Sequence, residues 1–188
     1  MKIQQLDKMS TAIEMAAAAH QSQVRKGNKK PYISHPYFVG MLLLDAGCAE
    51  ETVLAGILHD VIEDTDVTYG AITSAFGDRV MEMVKGSSEP DKSQSWEARK
   101  KHTITYLQKE ASVEVCQIVC ADKLHNVLSL RQDLEKQGEA VWSHFKRGKD
   151  VQEWYYTSLV EALGRRVGTF PLFLQLKKEV QNLFYPTT

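Results

Sequence analysis

Six histidines are spread along the chain, and two of them stand in company that can do chemistry. His59 and Asp60 adjoin near the end of the apolar stretch AGILHDVIEDT, and Glu63 and Asp64 follow within one turn. On a helix, residues four apart share a face, so His59 stacks with Glu63 and Asp60 with Asp64. Four ionisable groups at the end of a segment that otherwise reads as core are costly to bury unpaired, and a divalent cation is an economical partner. Asp122 closes the apolar run VCQIVCA in the same manner, and His35 stands in YISHP at the start of another helix. His35, His59, Asp60 and Asp122 are therefore candidate metal ligands. Two imidazoles and two carboxylates form a mixed set that tolerates octahedral geometry, suiting Mn²⁺ or Fe²⁺ and leaving Zn²⁺ open. An isolated His-Asp pair carries little weight. The order His, His-Asp, Asp, with each element at an apolar helix start or end, carries much more.

Helical periodicity supplies the elements that must hold these residues. Over 5–24, Leu6, Met9, Ile13, Ala16 and Ala17 form one stripe of an amphipathic helix. Pro36 suits a first helical turn and leads 38–44 up to Gly47. The stretch 50–62 reads as a buried helix, followed by 68–76 with Thr68 as N-cap and by 78–85 after Gly77. Residues 86–95 (GSSEPDKSQS) form a polar loop of the kind that edges a site. Helices then follow over 96–109, 112–136, 149–166 and 171–184. Val113 to Val119 is β-branched enough to be ambiguous, but it runs straight into a helical pattern. The expected fold is all-α, a single multi-helix domain over 1–188 with about 8–10 helices.

Composition narrows the function. A chain of 188 residues, 43% hydrophobic and 25% charged, is long enough for one domain with a real core. A net charge of −1 provides no global field for nucleic acid or an anionic membrane, so an anionic substrate must be drawn by a local basic patch. No run approaches the roughly 20 apolar residues of a membrane span, and no signal-peptide core opens the chain, so the cytoplasm is the expected location. Cys116 and Cys120, four apart in an apolar run, read as small buried residues rather than ligands, and Cys48 has no partner motif. The oligomeric state is not legible.

The order His35, His59-Asp60, Asp122 resembles the metal signature of the HD superfamily of phosphohydrolases. Within it, RKGNKKPYISHP, LAGILHDVIEDT, FGDRVMEMVKGSSE and ADKLHN resemble the hydrolase domain of RelA/SpoT-type alarmone enzymes. The likeness spans 17–129 and continues more weakly to 163, with no synthetase-like region after it, as in a stand-alone small alarmone hydrolase. The resemblance implies Mn²⁺-dependent hydrolysis of the 3′-pyrophosphate of (p)ppGpp, a guanine nucleotide, to GDP or GTP and pyrophosphate. It also implicates Glu63 and Asp64 in catalysis, where they can orient water or move its proton. A divalent ion lowers the pKa of water and polarises a phosphoryl group, which suits this reaction.

By the same resemblance Arg25 and Lys26 contact the nucleotide, since a guanidinium can stack on a purine and fork onto phosphate. The loop from this pair to His35 is slightly longer than in the family, which opens part of the role to Lys29 or Lys30. Asn126, on the helical face of Asp122, is a further nucleotide contact by resemblance, with Ser129 one turn on. Lys123 points about 100° away and reads as a surface or rim charge. His125 reads as a packed residue supporting the ligands, while His20, His102 and His144 have no assigned role. In WSHFKRGKDVQEWYYTSL the candidates for closing over a nucleotide are Lys149 and Tyr155. Two other functions stay open at this stage: the same metal chemistry on another nucleotide such as NADPH, and a non-catalytic alarmone-binding protein.

Overall fold

Apolar residues at helical spacing generate ten α-helices and one 3-10 helix in the computed structural model, which describes residues 3–25, 29–89 and 93–186. In order these are α1 (Ile3–Ala19), α2 (Ser34–Asp45), α3 (Glu50–Leu58), α4 (Val61–Asp64), α5 (Tyr69–Phe76), α6 (Asp78–Ser87), α7 (Trp96–Lys109), α8 (Val113–Gln137), a 3-10 helix (Gly138–His144), α9 (Gly148–Val167) and α10 (Pro171–Phe184). The only extended pairing among the described residues is one isolated bridge between Val24 and Pro31. No helix among them is long and apolar enough to cross a membrane.

The longest helix, α8, is the axis of the core, and α2, α3, α6, α9 and α10 all pack against it. Its first half is apolar on every side, with Val115, Cys116, Ile118, Val119, Cys120, Ala121 and Leu124 all buried. Ser112 caps its start by accepting a hydrogen bond from the Val115 N–H. The ambiguous 113–119 stretch is thus helical, because its β-branched residues meet helices rather than strands.

Two helices of the site, α2 and α3, cross at very close range. A Cβ on Gly40 would stand 2.4 Å from Ile57 Cγ1, and one on Gly56 would stand 2.3 Å from Leu43 Cδ1. Each glycine accepts a branched side chain of the other helix, so the backbones approach more closely than any larger residue allows. This interlock fixes the start of α2, which carries His35, against the end of α3, which leads into His59.

Three expectations need correction. The stripe of α1 is shifted: Leu6 and Ile13 are exposed, while Ala12 and Ala16 are fully buried. The alanine face lets α1 lie close to α3, and that close packing outweighs the larger side chains on the other face. The 50–62 helix is broken after Leu58, so that His59 and Asp60 form a turn before α4. The His59 carbonyl, which an unbroken helix would give to the Glu63 N–H, lies 3.2 Å from Ser88 Oγ, a hydroxyl shared with the nearer Val84 carbonyl at 2.8 Å. The 86–95 loop begins later than expected, because Ser87 Oγ folds back onto the carbonyls of Met83 and Val84 and prolongs α6. The 3-10 helix after Gly138 had no legible signature.

Candidate metal centre and its cleft

His35 enters at the first turn of α2, His59 and Asp60 occupy the turn between α3 and α4, and Asp122 lies midway along α8. Both imidazoles are buried and both use Nδ1 for protein contacts. His59 Nδ1 donates to the Gly56 carbonyl at 2.8 Å, and His35 Nδ1 pairs with His125 Nδ1 at 2.7 Å. Each ring is thereby oriented with Nε2 inward. There, His59 Nε2 lies 3.0 Å from Asp60 Oδ2 and 3.9 Å from Asp122 Oδ1, while His35 Nε2 lies 3.6 Å and 3.2 Å from the same two atoms. Donor atoms of His35, His59 and Asp60 all fall within 4.8 Å of one another.

The carboxylates are held in turn. Tyr32 Oη donates to Asp60 Oδ2 at 2.5 Å, Asn126 Nδ2 donates to Asp122 Oδ1 at 2.6 Å, and Lys123 Nζ lies 2.7 Å from Asp122 Oδ2. Arg25 Nη2 donates to Asn126 Oδ1 at 2.8 Å, completing a chain from the basic loop to the centre.

Electrostatics at this point call for positive charge. Burial opposes ionisation of Asp60, but His59 and His35 outweigh it and hold the carboxyl well below its usual range. Burial likewise opposes ionisation of Asp122, and Lys123 with the two imidazoles outweighs it. Burial alone would lower His59, yet Asp60 and Asp122 push it up to about 9. Burial dominates at His35, which is lowered, and at His125, which falls to about 3 with help from His35 and Arg25. His59 Nε2, although buried and near a carboxylate, has no hydrogen-bond partner among the described residues. A buried nitrogen with no bond of its own, facing two ionised carboxylates and a second imidazole nitrogen, fits a divalent cation.

A cleft of about 1510 Å³ opens beside these residues. Glu63 and Asp64 line it, as does the loop expected to edge the site, through Ser88 and Glu89. Glu63 Oε2 accepts the Glu89 N–H at 3.0 Å. Burial raises the Glu63 carboxyl. The Asp64 carbonyl accepts from Gln23 Nε2 at 2.7 Å, and Gln23 in turn pairs with His20 Nδ1. Arg25, Asn126, Ser129 and Tyr155 also line the cleft. The Tyr155 ring is packed, with Trp96 against it at 5.8 Å and the Lys100 ammonium over it at 4.8 Å.

Lys149 is not brought to this cleft. Its ammonium pairs with Glu139 at 3.3 Å and lies over the Trp142 ring, at the start of α9. The short 3-10 helix places Glu139 beside it, which the sequence did not reveal. Lys26 lies outside the described residues. Lys123 lines the cleft, as a rim charge would, but is not a surface charge: its flexible stem curls back to Asp122 and past Tyr155 and Tyr156. Sequence reasoning missed Tyr32, three residues before His35. Its signal was a hydroxyl on the same short loop as a candidate ligand. It also missed Glu89, whose carboxylate pairs with Arg99 and Lys100 on α7.

A family model described as HD domain matches residues 12–151. The guanosine-3′,5′-bis(diphosphate) 3′-pyrophosphohydrolase of Aquifex aeolicus is 29% identical over 184 residues, covering 97% of this chain and 25% of that protein. The bifunctional (p)ppGpp synthase/hydrolase SpoT of Escherichia coli is 33% identical over 130 residues, covering 67% of this chain and 18% of that protein. The chain therefore spans about a quarter or less of the length of these curated relatives. Among solved structures, a protein of Listeria monocytogenes EGD-e superposes with a TM-score of 0.74 at 37% identity, covering 82% of this chain and 98% of that one. A metazoan SpoT ortholog described as hydrolysing ppGpp, with a role in starvation responses, superposes with a TM-score of 0.79 at 27% identity, covering 96% and 97%.

Proposed function

Because the chain belongs to the HD-domain family, we propose that it is a metal-dependent hydrolase that removes the 3′-pyrophosphate of (p)ppGpp, yielding GDP or GTP and pyrophosphate. The observation that carries this reading is the convergence of two inward imidazole Nε2 atoms and two ionised carboxylates, one nitrogen lacking a hydrogen bond among the described residues, at the wall of a cleft large enough for a nucleotide. The names of the relatives supply the substrate class. The whole of 1–188 acts as one hydrolase domain in the cytoplasm, with no nucleic acid as partner.

His35, His59, Asp60 and Asp122 hold the cation, and the mixed donor set together with the family favours Mn²⁺. Bound there, it supplies positive charge to a phosphoryl oxygen and brings water toward ionisation near neutral pH. Water adds to the phosphorus attached at the 3′ oxygen, the P–O3′ bond breaks, and a proton passes to the departing oxygen. Glu63 and Asp64 move these protons. Burial raises Glu63, which suits a group that must both take and return a proton near neutrality. Tyr32 and Asn126 keep the carboxylates aimed, while Arg25, Lys26, Asn126, Ser129 and Tyr155 receive the nucleotide.

Incubation of the purified protein with ppGpp and Mn²⁺, followed by ³¹P NMR, tests this. GDP and pyrophosphate are expected, with loss of turnover in EDTA. Cleavage of NADPH with ppGpp left intact would replace the substrate, and tight ppGpp binding without turnover would make the chain a binding module.

A further inference from the structure

Beyond the metal, α8 continues along the cleft. Asp122, Asn126, Ser129 and Asp133 all line it, and their spacing of four, three and four residues keeps them on one face. At 1.5 Å per residue, Asp133 lies about 16 Å along the axis from Asp122. A nucleotide held at the metal by its 3′-phosphate and extended along α8 brings the edge of its base toward this end.

Asp133 is only 9% exposed, and its carboxylate has no hydrogen bond or ion pair among the described residues. Its oxygens reach the open cleft, so a ligand that fills the cleft and displaces water there must supply their donors or leave a carboxylate unpaired. Gln152, on the neighbouring α9, is also 9% exposed, also lines the cleft, and is likewise without a partner among the described residues. The two offer a pair of acceptor oxygens from one helix and an amide from the next. Guanine presents two adjacent N–H donors, at N1 and the 2-amino group, next to the O6 acceptor. Adenine presents a bare ring nitrogen where guanine has N1–H, and a carboxylate facing it gains nothing.

We infer that Asp133 is a base-reading residue, which accepts the N1–H and 2-amino hydrogens of guanine at the end of the cleft remote from the metal, with Gln152 donating to O6. This assignment rests on the proposed nucleotide chemistry and deepens it by naming what selects the base.

Binding of GDP, IDP and ADP to the Mn²⁺-loaded protein, measured by titration calorimetry, tests the inference without relying on turnover. The wild type should bind GDP about tenfold tighter than IDP, which lacks the 2-amino group, and about 100-fold tighter than ADP. In Asp133→Asn the ratio of GDP to ADP affinity should fall at least about tenfold, while ADP affinity changes little. A purely structural role for Asp133 would weaken all three alike and leave the ratios intact. Equal binding of GDP and IDP by the wild type overturns the inference even if the variant fails to fold, as does an unchanged ratio in a folded Asp133→Asn. If the ratios behave as expected but ppGpp is not hydrolysed, the proposed reaction falls and the base-reading role stands.

Discussion

At one end of the cleft, His35, His59, Asp60 and Asp122 are each held by a protein group, respectively His125, the Gly56 carbonyl, Tyr32 and Asn126. At the other end, Asp133 and Gln152 lie nearly as deep with no partner among the described residues. The metal end is arranged in advance, so the reacting groups need little reorganisation when substrate arrives. The far end leaves its hydrogen-bonding capacity open, so that a ligand completes it. Rigidity sits where charge must be aimed, and unmet polar capacity sits where one ligand must be told from another.

If that division is right, the largest losses come from the held end. Asp60→Asn removes the oxygen on which both imidazoles and Tyr32 converge, and steady-state assays should show kcat/KM for ppGpp reduced by at least about 10³-fold. Glu63→Gln should lower kcat by about 10²-fold. Its pH profile adds a sign. Burial raises the Glu63 carboxyl, so in the wild type kcat should drop as pH falls through a value above the ordinary glutamate range, where Glu63 becomes protonated and can no longer accept a proton. That acid limb should vanish in the variant. A persisting limb would assign the proton transfer elsewhere.

Tyr32→Phe keeps the ring and deletes only the hydroxyl on Asp60. By metal titration it should weaken cation affinity about 10- to 100-fold, as loss of a group that orients a ligand does. An unchanged affinity would show that Asp60 needs no support and would erase half of the contrast between the two ends. The smallest effect belongs to Lys149→Ala. Its ammonium is engaged by Glu139 outside the cleft, so KM for ppGpp should change by less than about twofold. A tenfold rise in KM would return Lys149 to the nucleotide.

The same division explains what could be read from sequence. Metal-end residues occur in short contiguous stretches: in LHDVIED and ADKLHN an ionisable group abuts an apolar run, a local conflict visible without a structure, while His35 in YISHP was legible mostly through the family pattern. Nearly all helices were equally legible, because their apolar spacing is regular. The break after Leu58 was not, since the contact that the His59 carbonyl finds there, with Ser88, joins residues remote in sequence. Lys123 escaped because a long side chain can double back. Asp133 and Gln152 escaped because Asp133 reads as an ordinary solvated charge on an amphipathic helix, and only the packing of α8 and α9 buries them beside the cleft. Tertiary burial, not local pattern, defines that end.

Cleavage of the P–O3′ bond fixes where solvent oxygen must appear. Turnover of ppGpp in H₂¹⁸O with Mn²⁺, followed by mass spectrometry of both products, reports it directly. One solvent oxygen is expected in the released pyrophosphate and none in GDP, with no turnover in EDTA. Label in GDP, release of orthophosphate, or turnover that survives EDTA would contradict the proposed reaction.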